Sequence, residues 1–461
     1  MHQSWHHSKL RLHNTDKRLS KRFDLLLGRF LSNPGESIPK ALKDWGTIKS
    51  AYRFFDNSQV TNEMLINEAI DDTARKARSA EGLLIIAHDT THIDYSGLNV
   101  ENLGRNGTKE CTKGFLLHSS LALTEGGVPL GMLSQSIWTR EEAKGNDSAK
   151  RRQLPIEEKE SYKWLQSFRA SQSAITDGIR SVSVCDREAD IYELLCSMGE
   201  QKHDYVVRSS YDRKLADGML LESKLGSCPA IARYEHEIQR VHESHPKRTA
   251  SMALRACEIE IARPEARTKL AYPESIKLNV VSAREETPEI AGEDRISWTL
   301  LTSLPIDSVE SIMKVVRIYK LRWKIERFHY VLKSGCNVEK KQLKTIHALK
   351  NMLAFFSIVA YKLLWLKYEA QANPEQSCDV VLSQTEWQAL CCHISKSAIP
   401  PKKPPSLSKA AIMIARLGGF IARKGDGFPG VKSIWDGIRK LHDIHEHFMI
   451  FYKKNMEYNC G

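Results

Sequence analysis

Between Leu83 and Arg208 the chain runs through an order of patterns that few folds accommodate. Leu83 to His88 is a short apolar run, as a buried strand requires, and it ends on Asp89-Thr90-Thr91. Phe115 to Leu123 and Val128 to Trp138 flank Glu125-Gly126-Gly127, which predicts an antiparallel hairpin. The charged stretch Glu141 to Lys150 reads as a solvated loop. A helix carrying Tyr162, Trp164, Leu165 and Phe168 comes next, then a strand from Ser181 to Cys185 that ends on Asp186. A helix through Ile191, Leu194 and Leu195 and a strand from Tyr205 to Arg208 complete the order.

Strand, hairpin, helix, strand, helix, strand is the core order of a ribonuclease-H-like α/β fold, here with acids ending the first and fourth strands. The flanks differ in kind. Leu19, Phe23, Leu26 and Phe30 recur at helical spacing before a Pro34-Gly35 break. A second helix carries Trp45, Ile48, Tyr52 and Phe55, with Lys43, Lys49 and Arg53 on its other sides. Residues 1–60 are thus expected to be a small basic helical domain, and 61–368 the α/β domain. Short β-type runs between about 211 and 305 predict a β-stranded insertion within it. Pro400 to Pro405 form a stiff linker inside a helical C-terminal domain, 369–461. Its last helix sets Ile434, Ile438, Leu441 and Phe448 at the spacing of a partner-binding face.

Composition narrows the function. The N-terminal MHQSWHHSKLRLHN is polar and basic and is not expected to be a signal peptide. The apolar run Met352 to Leu366 is interrupted by Lys362 and falls short of the roughly 18 residues a bilayer span needs, so no membrane partner is expected. The ten cysteines form no CxxC pair, and the expectation is reduced thiols in a cytoplasmic protein. The formal charge is +12, and Lys9 to Arg53 alone holds eleven Lys or Arg against four acids. Such an excess suits a polyanion, because each phosphate contact releases a counterion. There is no Walker-type phosphate loop, so no use of ATP is expected.

One predicted helix, Ser308 to Lys333, carries Tyr319, Arg322, Glu326 and Lys333 at i, i+3, i+7 and i+14. At about 100° per residue these share one face. Ile318, Leu321, Ile325, Phe328 and Leu332 make the opposite, core-facing stripe. A carboxylate between two cations and a phenol on the exposed side suits metal and phosphate together. Phosphodiester transfer calls for neutralised charge between nucleophile and leaving oxygen, which two Mg²⁺ ions about 3.5–4 Å apart can supply. Asp89, Asp186 and Glu326 are the candidate ligands, as hard oxygen donors. Trp298 and Trp323 are candidates for stacking on an unpaired base. His442, His445 and His447 lack acidic or Cys partners at ligand spacing and are expected to be surface residues.

Tyr319-x2-Arg322-x3-Glu326-x6-Lys333 resembles the YREK signature of the bacterial DDE insertion-sequence transposases of the Tn-five type. AYRF (51–54), DTT (89–91), CDREADI (185–191), VVRS (206–209), WTLLTS (298–303) and IARLGGF (414–420) resemble the same family, in the same order. The resemblance implies a cut-and-paste transposase with a DNA-end-binding N-terminal domain, a ribonuclease-H-like core and a C-terminal dimerisation helix. It implies Asp89, Asp186 and Glu326 as the metal triad, holding two Mg²⁺ for which Mn²⁺ can substitute. Nicking at the element end, hairpin formation and resolution, and joining of 3′-hydroxyl ends to target DNA would be its reactions. Arg208, Trp298, Tyr319, Arg322, Trp323 and Lys333 would line the end DNA, with a flipped base on Trp298, and Arg53 would lie in the end-recognition domain. The implied partners are inverted-repeat end DNA, target DNA and a second copy of the chain in the synaptic complex, on the bacterial nucleoid. Ser210, Tyr330 and Gln342 depart from the family, standing where basic residues touch DNA. Two rivals remain open: a nuclease on the same core that never rejoins DNA, and a non-catalytic DNA-binding inhibitor.

Overall fold

The computed structural model describes residues 12, 16–107, 112–140, 154–175, 178–238, 248–265, 272–287 and 294–458. The loop expected at Glu141–Lys150 lies outside them. The first helices are α1 (Lys17–Ser32), α2 (Ile38–Leu42), α3 (Trp45–Phe55) and α4 (Asn62–Ser79). Then come β1 (Leu84–Asp94), β2 (Gly114–Leu123), β3 (Pro129–Trp138), α5 (Tyr162–Ala174), β4 (Ser181–Cys185), α6 (Tyr192–Glu200) and β5 (Asp204–Arg208). The expected core order is therefore present. A further stretch carries α7 (Leu221–Ser227), β6 (Ala232–Ile238), β7 (Arg248–Ala262), β8 (Ser275–Glu285) and β9 (Ser297–Thr302). The chain continues through α8 (Val309–Leu321), α9 (Trp323–Tyr330), α10 (Ile346–Ala372), α11 (Gln384–Ser395), α12 (Leu407–Leu417) and α13 (Val431–Tyr458).

These elements fall into two compact units, and β1 passes from one to the other at Asp89–Thr90. One unit comprises Met1–Ala80, Thr90–Glu142 and Lys324–Gly461, the other Glu81–Asp89 and Ala143–Trp323. In the second unit β1, β4 and β5 are parallel neighbours. Beyond β5 the sheet continues antiparallel through β9, β8, β7 and β6. The β-stranded stretch thus extends the core sheet, and β7 and β8 are longer than their sequence patterns suggest. Its edge strand β6 alternates half-buried and exposed side chains throughout, as a strand with one covered face does.

The first unit is organised around α10, which Thr345 caps by accepting from Ala348 N at 3.1 Å. Its residues from Met352 to Leu364 are buried, Lys362 included. By length and composition α10 could cross a membrane, but almost all of its apolar window is buried inside the protein. Phe355 meets the rings of Phe23, Phe30 and Phe55 at 5.5, 5.8 and 5.5 Å. Each such ring contact adds roughly 0.5–1.5 kcal/mol to the burial itself. Asn351 Nδ2 donates to Phe55 O (2.9 Å) and Val60 O (2.7 Å), tying the end of α3 to α10. The basic N-terminal helices therefore share one core with α10. β2 and β3 form the expected hairpin, with Gly127 at φ 81° in its turn. Gln135 on β3 donates to Ser357 Oγ of α10 at 3.0 Å.

Two expectations fail here. Asp89 does not end its strand: β1 runs on through Thr90, Thr91, His92 and Ile93 to Asp94. The helix expected from Ser308 to Lys333 is also in pieces. α8 ends at Leu321, α9 starts at Trp323, and a π-helical turn over Val331–Gly335 comes after it, closed by Cys336 N donating to Val331 O at 2.8 Å. A π turn adds a residue to the repeat and rotates the side chains beyond it, so the single shared face does not hold.

Candidate active site

β1 and β4 pair in parallel with Leu84 opposite Ser181 and Ala87 opposite Val184. Carrying that register two residues further sets Asp89 level with Asp186, on strands spaced about 4.8 Å apart. Every residue of β4 and every residue of β1 from Leu84 to His88 is buried, whereas Asp89 and Asp186 are half-buried. The two carboxylates therefore mark where the apolar interior opens: Asp186 at the carboxyl end of β4, the usual ligand position in an α/β sheet, and Asp89 level with it inside the longer β1. Asp186 Oδ1 accepts from Glu188 N at 2.9 Å. Burial, then the Asp89 carboxylate, pushes the Asp186 carboxyl up to about 6, while the Arg322 guanidinium acts the other way.

Behind the pair lies a polar network. His88 Nδ1 meets Ser167 Oγ at 3.1 Å and its Nε2 meets Ser183 Oγ at 3.2 Å. Ser183 Oγ also reaches His203 Nε2 at 3.1 Å. Burial pushes His88 down to about 3 and His203 to about 4, so both are neutral near pH 7. Four residues beyond Asp186, Asp190 accepts from Arg213 Nε (2.8 Å), Arg213 Nη2 (2.5 Å) and Ser210 N (2.7 Å). That ion pair is almost fully buried, and it fixes the 209–213 turn after β5. Asp190 is not among the sequence candidates, because nothing in CDREADI separates a ligand from an anchor, and neither is His88, which reads as the end of an apolar run.

Several other candidates from the same unit are in contact. Trp298, at the start of β9, meets the Tyr319 ring at 5.6 Å, and the Arg322 guanidinium lies 5.9 Å above Tyr319. Arg208 Nη2 donates to Ser297 O at 2.9 Å, holding the end of β5 to the residue before Trp298. His236 of β6, missed in the sequence, packs on Trp298 at 5.5 Å and accepts at Nδ1 from Lys320 Nζ at 3.0 Å. Tyr319 is 5 % exposed, which corrects its placement on an open helix face: Trp298 covers it. Trp323 is 58 % exposed.

Glu326, Lys333 and Arg53 belong to the other unit. Glu326 is half-buried on α9, four residues after Arg322. Lys333 Nζ donates to His92 O of β1 at 2.9 Å and pairs with Glu339 at 3.4 Å. It braces the far half of β1. Arg53 is exposed on α3 one turn after Lys49 and two after Trp45. Trp45 is 76 % exposed, and Ala51, Phe54 and Phe55 are the residues α3 buries. Gln342 is exposed, and Tyr330 lies under the Arg327 guanidinium at 4.7 Å, which keeps a cation beside that position. The three C-terminal histidines are engaged by Glu446, Thr385 Oγ1 and Asp443 O.

Among the described residues no three His, Cys, Asp or Glu side chains are gathered as a ready ligand set. The pair Asp89–Asp186 nevertheless fits a divalent cation. Two hard oxygen donors held against like charge, one with its proton affinity raised, are what a bound dication relieves, and Mg²⁺ is commonly held by one or two carboxylates plus water.

The chain matches three families of domain. Transposase DNA-binding covers residues 2–60, the transposase DDE domain covers 174–361, and the transposase Tn5 dimerisation domain covers 358–451. The DDE match includes Asp186 and Glu326. Among solved structures, a cryo-EM structure of the piggyBac transposase synaptic complex with hairpin DNA is similar at 11% identity and a TM-score of 0.34. The similarity covers 69% of this chain and 53% of that one, so the match spans about half of that protein's length.

Proposed function

The chain belongs to the Tn5-like DDE transposases, and we propose that it cuts its element out of DNA and joins the free ends to a target. The observation that carries this is the juxtaposition of Asp186, directly after β4, with Asp89, level with it inside the parallel strand β1, and with Asp186 held near 6. Glu326 is proposed as the third carboxylate, one helical turn past Arg322, and two Mg²⁺ ions as the natural occupants. When bound, divalent cations would neutralise the phosphate and lower the pKa of attacking water.

The chain's own groups supply the remainder. Asp89 and Asp186 bind in their ionised form, and the Arg322 guanidinium offers charge-assisted hydrogen bonds to the scissile phosphate. Water attacks phosphorus and the 3′-oxygen leaves with a proton. The freed 3′-hydroxyl then attacks the opposite strand, closing a hairpin that a second water reopens. Each attack by a 3′-hydroxyl exchanges one ester oxygen on phosphorus for another, and each attack by water is a downhill hydrolysis, so no ATP is required. Trp298, backed by the buried Tyr319 ring, is proposed to stack on a base expelled at the hairpin, with Arg208 holding the strand end beside it. Trp323 and Lys333 are likewise proposed to contact the end DNA. Lys49 and Arg53 on α3 are proposed to contact the inverted repeat. Dimeric synapsis is proposed through the C-terminal residues, where Ile450 and Phe451 are exposed on α13. The site of action would be the nucleoid in a bacterial cytoplasm.

The test pairs precut inverted-repeat duplexes with supercoiled plasmid in Mg²⁺. Joined product is expected, and Asp89→Asn, Asp186→Asn and Glu326→Gln should each lose about a thousand-fold or more, equivalent to ~4 kcal/mol of barrier. Cleavage without joining would establish a nuclease in its place, and full activity in any one of the variants would remove that residue from the site.

A further inference from the structure

α9 and the C-terminal half of α10 bring three cations together with no carboxylate among them. Lys324 Nζ sits 3.2 Å from the centre of the Tyr368 ring, and Lys367 Nζ sits 4.6 Å from the same ring. Arg327, one turn along from Lys324, lies 4.7 Å above Tyr330. Tyr330 in turn packs on Trp435 of α13 at 5.5 Å. All five of the cationic and tyrosine side chains are half-buried, and burial together with the Arg327 guanidinium pushes Lys367 down to about 8.

Among the described residues none of the three cations makes an ion pair, and each rests on an aromatic face. The adjacent acid, Glu369, is turned to Asn373, whose Nδ2 donates to its Oε1 at 2.8 Å. A cluster that served only to pack helices together would have its cations answered by carboxylates, as Lys76 of α4 is: it rests 5.3 Å from the Tyr361 ring of α10 but is paired with Asp72 of its own helix at 2.6 Å. Aromatic faces attract a cation but do not neutralise it. The site is therefore left with an excess of positive charge that an incoming anion can balance. It also differs from the Glu326 position: at about 100° per residue, Lys324 and Glu326 project from well-separated directions around α9.

We propose that Lys324, Arg327 and Lys367 form a docking site for the phosphodiester backbone of DNA, separate from the carboxylate site. The ammonium groups would act as point charges on single phosphates, and Arg327 as a fork able to take two phosphate oxygens. Two duplexes offer that backbone, the element end and the target. The proposal rests on the reading of this chain as a DNA transposase.

The test measures binding in chelator, so that cutting does not intervene, to a duplex of the inverted repeat flanking the gene. A mixed-sequence duplex of equal length is then offered to the preformed end complex. Lys324→Gln/Arg327→Gln/Lys367→Gln is compared with Lys402→Gln/Lys403→Gln/Lys432→Gln, which removes the same charge from exposed positions. The expected result is weaker binding by the first variant only, with the slope of log K against log salt shallower by about one unit for each phosphate no longer held. Weakening in the first arm assigns the site to the element end, and weakening confined to the second assigns it to the target. Both variants should melt within a few degrees of the parent, which separates a binding defect from a folding defect. If the two variants match in both arms while the parent binds DNA, the site does not exist. If the parent binds neither duplex, the transposase reading itself falls and takes this site with it.

Discussion

Asp186 and Asp190 stand four residues apart in one turn, yet the protein treats them oppositely. Asp190 is enclosed and receives hydrogen bonds from Arg213 and from the backbone of the 209–213 turn. Asp186 is given one backbone donor, a second carboxylate for a neighbour, and partial burial. The first arrangement is complete within the chain. The second is incomplete, and only a positive ligand finishes it. A family motif rich in acids therefore mixes two roles, and the difference is read from which charges are already answered.

Removing the answered charge should do the most damage to the fold. Asp190→Ala leaves the Arg213 guanidinium buried without its partner, a change that typically removes about 3–5 kcal/mol. Urea denaturation monitored by tryptophan fluorescence measures it. A loss below about 1 kcal/mol would mean that the 209–213 turn stands without this pair, and the contrast with Asp186 would vanish.

Removing the unanswered charge should do the reverse. The Asp186 carboxyl titrates near 6 in the folded chain and near its ordinary value of 3.8 when unfolded. Between those values the folded state holds a proton that the unfolded state has released. Its stabilising contribution is thus full below about pH 4 and gone once pH has risen past 6. At pH 7.5 in chelator, Asp186→Asn should be more stable than the parent by up to about 3 kcal/mol, with the gap closing towards pH 4. Mg²⁺ should raise the melting temperature of the parent and leave the variant nearly unmoved. A gap that widens towards acid would contradict the raised titration.

The two halves of this contrast were unequally legible in sequence. The strands Ser181–Cys185 and Tyr205–Arg208 and the hairpin announced themselves because short apolar runs between turn residues have few alternatives. The extent of β1 did not. Asp89-Thr90-Thr91-His92 looks like a turn by polarity, but the strand continues because its polar side chains find partners: Thr90 Oγ1 meets His118 Nδ1 at 2.9 Å and His92 Nδ1 meets Asn106 O at 2.7 Å. β-branched threonine suits that conformation. Nor was the interrupted Tyr319–Lys333 segment visible, since spacing arguments assume 3.6 residues per turn throughout. Gly335, in the π turn, lets Trp435 come so close that an added Cβ would sit 2.9 Å from its ring. That approach is set by α13, far away in the chain. The cations of Lys324, Arg327 and Lys367 were equally hidden, because a helix written as alternating charge looks solvated until its neighbours are known.

The smallest expected effect tests how finely Asp186 is tuned. Arg322 is the cation that acts against burial and Asp89 to keep the Asp186 carboxyl from rising further. Arg322→Gln should raise that carboxyl and move the acid limb of single-turnover nicking to higher pH, by under about one unit. Arg322→Lys keeps the charge and should return the limb most of the way, although it forfeits the guanidinium fork and with it part of the rate on the plateau. The two readouts separate the roles: a shifted limb reports the charge felt by Asp186, a lowered plateau reports the hydrogen bonds made to phosphate. An acid limb that stays in place in Arg322→Gln while the plateau drops would show that Asp186 is not the group titrating there, and the near-neutral carboxyl would lose its place in the chemistry.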